Sequence, residues 1–282
     1  MPRGKTGAIP TERGKYNALA RFVGRRAAPF QIAYVPARLS MWGNNQYGDC
    51  VTAEEAFKCA AETPEVFLDD STVISWARSH GVLNGATLTD VLDMMRRDGF
   101  KVGPQAYDDG PYGTVDYTNP SLLKTAIATG PVKIAIDSSA LPGGAGDQNG
   151  WVGIGGQPNQ YRNIDHCVSL CGYGRAGDLF HLLNAQLPSN LPAELEGYLL
   201  FTWSTIGFVD LAWLLSCCAE AYVRNPNTVF DPPLDPNPPV PPPPGPSPNW
   251  WDTLVLLIPY LIQFLQFLLP LLEQNKRTKS HG

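Results

Sequence analysis

The sequence predicts an α+β fold, with helices first and strands after, on a chain of 282 residues. Three observations predict it. Helix-forming stretches crowd the segment from Cys50 to Thr129. From Val132 onward, short β-rich runs alternate with Gly- and Pro-bearing breaks. A composition of 44% hydrophobic and 17% charged residues is that of a globular body. A chain of this length holds one sizeable core plus appendages.

The elements follow in order. Cys50–Glu62 (CVTAEEAFKCAAE) is rich in helix formers, with Asp49 placed to cap it. Helices are expected over 71–80 and 87–98, the second capped by Thr87 or Thr89 and stopped near Gly99. SLLKTAIAT (121–129) is a fourth, closed by Gly130-Pro131. Strands are expected at 132–137, 166–173, 179–183 and 198–203, and a short helix at 210–222. No internal repeat is visible.

The chain divides into a basic N-terminal arm (1–38), a globular body (39–225), a Pro-rich linker (226–249) and a C-terminal hydrophobic helix (250–282). The arm carries eight Lys/Arg against Glu12, giving +7 and leaving −12 on the rest. Such an arm could touch nucleic acid or an anionic surface. A solubilising leader is the plainer expectation, and nucleic acid is not an expected partner. The arm lacks the continuous apolar core of a secretory signal. DPPLDPNPPVPPPPGPSPN (231–249) is a polyproline II spacer.

Beyond the spacer, Leu254–Leu272 is uncharged, with Trp250 and Trp251 before it and Lys276, Arg277 and Lys279 after. These are the features of a membrane-spanning tail anchor. Leu254, Ile258, Leu261, Leu265, Leu268 and Leu272 also form a heptad seam, so self-association through 250–272 is the alternative. The expected location is the cytoplasm, or a membrane reached through this tail.

Six cysteines show no C-x-x-C pair and no disulfide-framework spacing, which favours a reducing compartment. Five lie in apolar or helical contexts that suit buried thiols. Cys50 is the exception. It opens a helix, where unpaired backbone N–H groups and the helix dipole favour thiolate. His166, 116 residues downstream, opens an apolar strand ending in Gly172-Tyr173-Gly174 and is the candidate base. His80, His181 and His281 have no evident partners, and no spacing suits a metal or phosphate site. No cofactor is expected.

Residues 40–222 resemble a papain-like (C1-type) cysteine peptidase of divergent sequence. WGNNQYGDCVTAEEAF resembles that family's loop and nucleophile helix. GPVKIAID with GWVGIGGQPNQYRNIDHCVSLCGYG resembles its strand, loop and histidine strand, and YLLFTWSTIG its tryptophan-bearing turn. The resemblance implies a two-lobe fold, a helical lobe beside an antiparallel β lobe, with a peptide or protein substrate in the cleft between them. It implies Cys50 as nucleophile and His166 as base. Gln46 is the first choice for the side-chain oxyanion donor, with Asn44, six residues before the cysteine, as the alternative.

The orienting residue has two candidates. Asn184 lies near the expected separation from His166. If Trp203 instead matches the family tryptophan, Phe201 stands where asparagine should, and Asp165 or Thr202 would hold the imidazole. Ile136 and Ile164 would line an apolar specificity pocket, with Trp203 also at the substrate. The reading is a cysteine peptidase working through a thioester on Cys50. An inactive scaffold tethered to a membrane or helical bundle is the alternative, and an acyl transferase or ligase a third.

Overall fold

The computed structural model describes residues 3–24, 27–107, 110–224 and 230–231. In chain order the strands are β1 (Ala8–Ile9), β2 (Arg21–Phe22), β3 (Ile32–Ala33), β4 (Ala86–Thr87), β5 (Phe100–Val102), β6 (Gln105–Tyr107), β7 (Tyr112–Thr114), β8 (Val132–Ile136), β9 (Val152–Gly153), β10 (His166–Arg175), β11 (Glu196–Thr202), β12 (Thr205–Val209), β13 (Cys218–Arg224) and β14 (Phe230–Asp231). The helices are α1 (Arg13–Asn17), α2 (Cys50–Ala60), α3 (Asp70–Ser79), α4 (Leu88–Asp98), α5 (Pro120–Ile127), α6 (Ala176–Leu182) and α7 (Leu211–Cys217). The linker expected at 226–249 and the hydrophobic helix at 250–282 lie outside the described residues, apart from β14. Among the described residues, no helix is long and apolar enough to cross a membrane.

A ten-stranded sheet runs β14-β2-β7-β13-β8-β10-β11-β12-β9, with β3 joining β10 beyond the end of β8. Its long antiparallel centre, β13-β8-β10-β11-β12, is the expected β lobe. The helices α2, α3 and α4 pack over one face of it.

Alternation along β10 divides the core. Cys167 and Cys171 point toward α2, while Val168, Leu170 and Tyr173 point to the opposite cluster with Leu123, Ile127 and Trp213. Period-2 geometry sets Cys167 opposite Val168 and Leu170, and an irregularity between Leu170 and Gly172 shifts the alternation, so that Cys171 and Tyr173 fall on opposite faces. Phe57 of α2 stacks on Phe201 of β11 with ring centroids 4.0 Å apart, and Trp42 meets the same ring at 5.8 Å.

The same alternation puts a lysine inside. Lys133 and Ala135 of β8 face α2, whereas Val132, Ile134 and Ile136 face away. Lys133 Nζ donates to the Val51 carbonyl at 3.2 Å and pairs closely with the Glu55 carboxylate. Arg224 Nε of β13 stands 3.4 Å from the other Glu55 oxygen. The Arg224 guanidinium also donates to the carbonyls of Gly110 at 2.6 Å and Leu92 at 2.7 Å. Both charges are buried and both are met.

Several expectations change here. The strand expected at 179–183 is the end of helix α6, because Leu179, Phe180 and Leu183 recur at helical spacing against the core. The helix expected over 210–222 stops at Cys217, and Cys218–Arg224 becomes sheet strand β13. Asp49 stands at the α2 N-cap without a side-chain bond to the helix, whereas Thr87 does cap α4, accepting from Asp90 N–H. The basic arm is not separate from the body: β2 and β3 are strands of the main sheet, and β1 pairs with β4. His80, expected to lack partners, bonds Asp98 at 3.0 Å and stacks on Trp76.

Replacing Glu55 with alanine takes the carboxylate from the buried Arg224 guanidinium and from Lys133, whose pKa burial lowers to about 7. Glu55→Ala is expected to cost about 3–5 kcal/mol, the range for breaking a buried pair from one side, measured as a shift in the urea midpoint.

Candidate active site

Cys50 is the first residue of α2 and His166 the first of β10. Packing of α2 across β10 brings these two starts together. The backbone N–H groups of Cys167, the residue after the histidine, and of Ala8 lie close enough to the Cys50 sulfur to favour its charged form. Each of the two side chains is 1% exposed. Cys50 is thus as buried as the other five cysteines, all of them free, so reactive exposure does not set it apart.

The imidazole is held on two sides. Its Nε2 is 2.8 Å from the Thr202 hydroxyl, and its ring stacks on Trp203 at a centroid distance of 4.7 Å. Thr202 pairs with Thr205 across the β11–β12 hairpin, leaving Trp203 and Ser204 as a two-residue loop at φ 45° and 65°. Positive φ at both loop positions is the primed-turn geometry that fits strand twist. A tryptophan there is strained, and the strain is kept where the ring covers the histidine. His166 Nδ1 is buried and has no hydrogen-bond partner among the described residues.

Burial dominates the electrostatics. It pushes the Cys50 thiol up to about 12, an effect the nearby Glu54 and Asp49 reinforce. It pulls His166 down to about 3. Both groups are therefore neutral at pH 7 in this arrangement. Burial also raises Asp49 to about 7, against the opposing pull of the nearby Asn44 amide, and neither carboxylate oxygen has a hydrogen-bond partner within normal geometry among the described residues.

The remaining candidates separate. Asn44 is buried beside the cysteine loop, its Nδ2 donating to the Tyr47 carbonyl at 3.2 Å. Gln46, the first choice for the oxyanion donor, is exposed. The Gly43 to Asp49 loop turns tightly, with Gln46 N–H donating to Gly43, and this directs the longer side chain outward. Asn184 is exposed past the end of α6, in a left-handed conformation that closes the helix, and it does not meet the imidazole. Asp165 turns its carboxylate to Ser138, accepting from its N–H and hydroxyl at 2.8 and 2.9 Å. Of the orienting candidates, Thr202 alone bonds the ring.

Ile136 is fully buried in β8, paired with His166 in register but facing the opposite cluster, so it belongs to the core and not to a pocket. Ile164 is half-buried against the helical side. Trp203, expected at the substrate, lies beside His166.

Sequence reasoning missed the segment that covers the pair. Residues 3–9 cross it in extended form: Lys5 N–H donates to the Asn44 carbonyl, and Gly7 and Ala8 N–H both donate to the Asp165 carbonyl. The available signal was Gly4 and Gly7 inside an otherwise basic leader.

No family model and no curated protein matches the chain. Among solved structures it is similar to xylellain, a cysteine protease from Xylella fastidiosa, with a TM-score of 0.51 at 14% identity over 80% of this chain and 98% of that one. Bromelain from Ananas comosus, solved with the E64 inhibitor, aligns at TM-score 0.48 and 15% identity over 70% of this chain and 99% of that one. The xylellain likeness establishes the fold as papain-like.

The shifted groups set opposite pH dependences. His166 binds its proton more readily unfolded, so stability present above pH 6.5 is lost toward pH 3, by up to about 1.4 kcal/mol per unit; His166→Gln should flatten that acid limb. Asp49 keeps its proton longer when folded, so its contribution is lost as pH rises from about 4 through 7. Asp49→Asn should therefore raise the urea midpoint at pH 8 more than at pH 4.

Proposed function

We propose that the protein is a cysteine peptidase that cleaves peptide bonds through a thioester on Cys50. The observation that carries this reading is the meeting of the α2 and β10 starts. It sets a helix-terminal thiol against the backbone beside a histidine whose Nε2 is held by Thr202 and whose Nδ1 has no hydrogen-bond partner among the described residues.

The chemistry follows from those atoms. With Nε2–H donating to Thr202, the imidazole lone pair stands on Nδ1 and can take the Cys50 proton. The sulfur then attacks the scissile carbonyl, and the negative charge moves to oxygen. The Cys50 backbone N–H, in the first turn of α2, and Asn44 Nδ2 are the donors proposed for that oxyanion. Collapse breaks the C–N bond, and the imidazolium gives its proton to the leaving amine. Water, deprotonated by His166, then hydrolyses the thioester and restores the thiol. Thr202 and Trp203 are positioning residues that fix the ring without taking protons.

A second reading, an inactive scaffold, is favoured by one feature: the pair is buried and neutral, without a thiol–imidazole hydrogen bond. Activity therefore requires the groove to open, which restores water to the pair and brings the thiol pKa down.

The two readings part on one measurement. The full chain is treated with a peptidyl epoxide and the adduct is mapped by mass spectrometry. Peptidase chemistry predicts modification at Cys50 ahead of the other five thiols, falling about 10²-fold or more in His166→Ala. Modification of Cys50 no faster than of the other thiols, or unaffected by His166→Ala, refutes it.

A further inference from the structure

The segment Arg3–Ile9 does more than lie over the pair. It fits a slot whose shape is specified by glycines on both sides. A Cβ on Gly7 would meet the Gly48 carbonyl oxygen at 1.9 Å, and one on Gly4 would meet the Trp203 ring at 2.2 Å and the Asn44 carbonyl at 3.0 Å. The slot is equally intolerant. A Cβ on Gly48 would meet the Thr6 carbonyl at 2.8 Å, and one on Gly85, at φ +125°, would meet that of Gly7 at 3.0 Å. Side chains are thus excluded from both partners where they touch, and most of these blocking atoms are backbone, which cannot swing aside.

The bonds that hold the segment are mostly main-chain. Lys5 N–H donates to Asn44 O at 2.6 Å, Gly7 and Ala8 N–H donate to Asp165 O at 2.8 and 2.9 Å, and Ala86 N–H donates to Gly7 O at 3.0 Å. Ala8 and Ile9 pair in parallel with Ala86 and Thr87 of β4. Such bonds recognise any extended strand; selection falls to the positions where a side chain cannot fit. Trp203 Nε1 donates to the Lys5 carbonyl at 3.3 Å. The Arg3 guanidinium caps the slot, donating to the carbonyls of Leu141 and Pro142 at 2.9 Å each, with Trp203 5.9 Å away.

We propose that the groove over Cys50 and His166 is a receptor for an extended peptide strand of the pattern basic residue, glycine, two residues, glycine, and that Arg3–Ile9 is its resident occupant. The proposal rests on the reading of Cys50 and His166 as the working pair and names the ligand class that the site takes. The occupant lies over the pair: Gly7 and Ala8 N–H bond the carbonyl of Asp165, the residue before the histidine, and Gly4 lies against Trp203, which stacks on the imidazole. A competing strand must displace this segment, so its apparent affinity is reduced by the fraction of chains in which the slot is free.

The test uses full-length protein and does not need turnover. Gly7→Val puts a side chain into the Gly48 backbone and should free the slot. Iodoacetamide modification of Cys50, mapped by mass spectrometry against buried Cys59 and Cys171 as internal references, is expected to rise at least about tenfold. The peptide Arg-Gly-Lys-Thr-Gly-Ala-Ile, added in trans, should slow it again, whereas the same peptide with valine for both glycines should not.

If circular dichroism shows Gly7→Val unfolded, Arg3→Ala, which removes the two carbonyl bonds and the Trp203 contact at the slot end, is carried through the same labelling. No rise in Cys50 modification in a folded variant overturns the resident occupancy. Equal protection by both peptides overturns the glycine pattern. Binding of the fluorescent peptide to the double variant Cys50→Ala, Gly7→Val separates this proposal from the peptidase reading. That binding survives if the pair is catalytically inert, and it is lost if the slot is no receptor, whatever Cys50 does with an epoxide.

Discussion

The buried carboxylate of Glu55 ties the helical side of the molecule to the sheet. It sits mid-way along α2 and meets Lys133 from β8 and Arg224 from β13, so one side chain on the cysteine helix engages two adjacent central strands. Buried pairs of this kind add little net stability against a hydrophobic alternative, but they are intolerant of misregister, because a shifted partner leaves a bare charge inside. A slip of one residue in β8 would turn Lys133 to the opposite face. The register that satisfies Glu55 is the one that pairs Ile136 with His166, and it therefore sets the start of β10 where Cys50 can meet it.

Around that anchor, the site is assembled from element ends. Cys50 begins a helix, His166 begins a strand, and Thr202 and Trp203 lie at the turn of a hairpin. Ends of rigid elements hold side chains firmly and leave backbone donors unpaired, a combination that suits catalytic work. The Phe57–Phe201 stack and Trp42 fill the space behind the pair, so the thiol and the ring rest on packed aromatics.

The N-terminal segment lies over the buried pair. It pairs a strand with β4 and gives backbone donors to Asp165 and Asn44. Its glycines allow it to lie flat on Gly48. The thiol and imidazole beneath it are both neutral at pH 7.

Much of the core was legible in the sequence. The helix beginning at Cys50, the cap at Thr87, the strand opening at His166 and the order of cysteine before histidine all follow from local patterns of side-chain period and capping. Thr202 and Asn44 were visible only as alternatives. Which of them meets the site depends on hairpin register and loop curvature, neither of which sequence spacing encodes. Asn184 had the right separation but closes a helix, and the 179–183 run was misread as a strand because a short apolar run has no decisive period. The role of residues 3–9 was not legible at all. A basic leader has the same composition whether it is solvated or laid in a groove, and only non-local backbone bonding distinguishes the two. The sequence by itself determined the local elements and the two residue types that chemistry needs. The tertiary structure decided which partners reach them and what covers them, because those contacts join positions as much as two hundred residues apart.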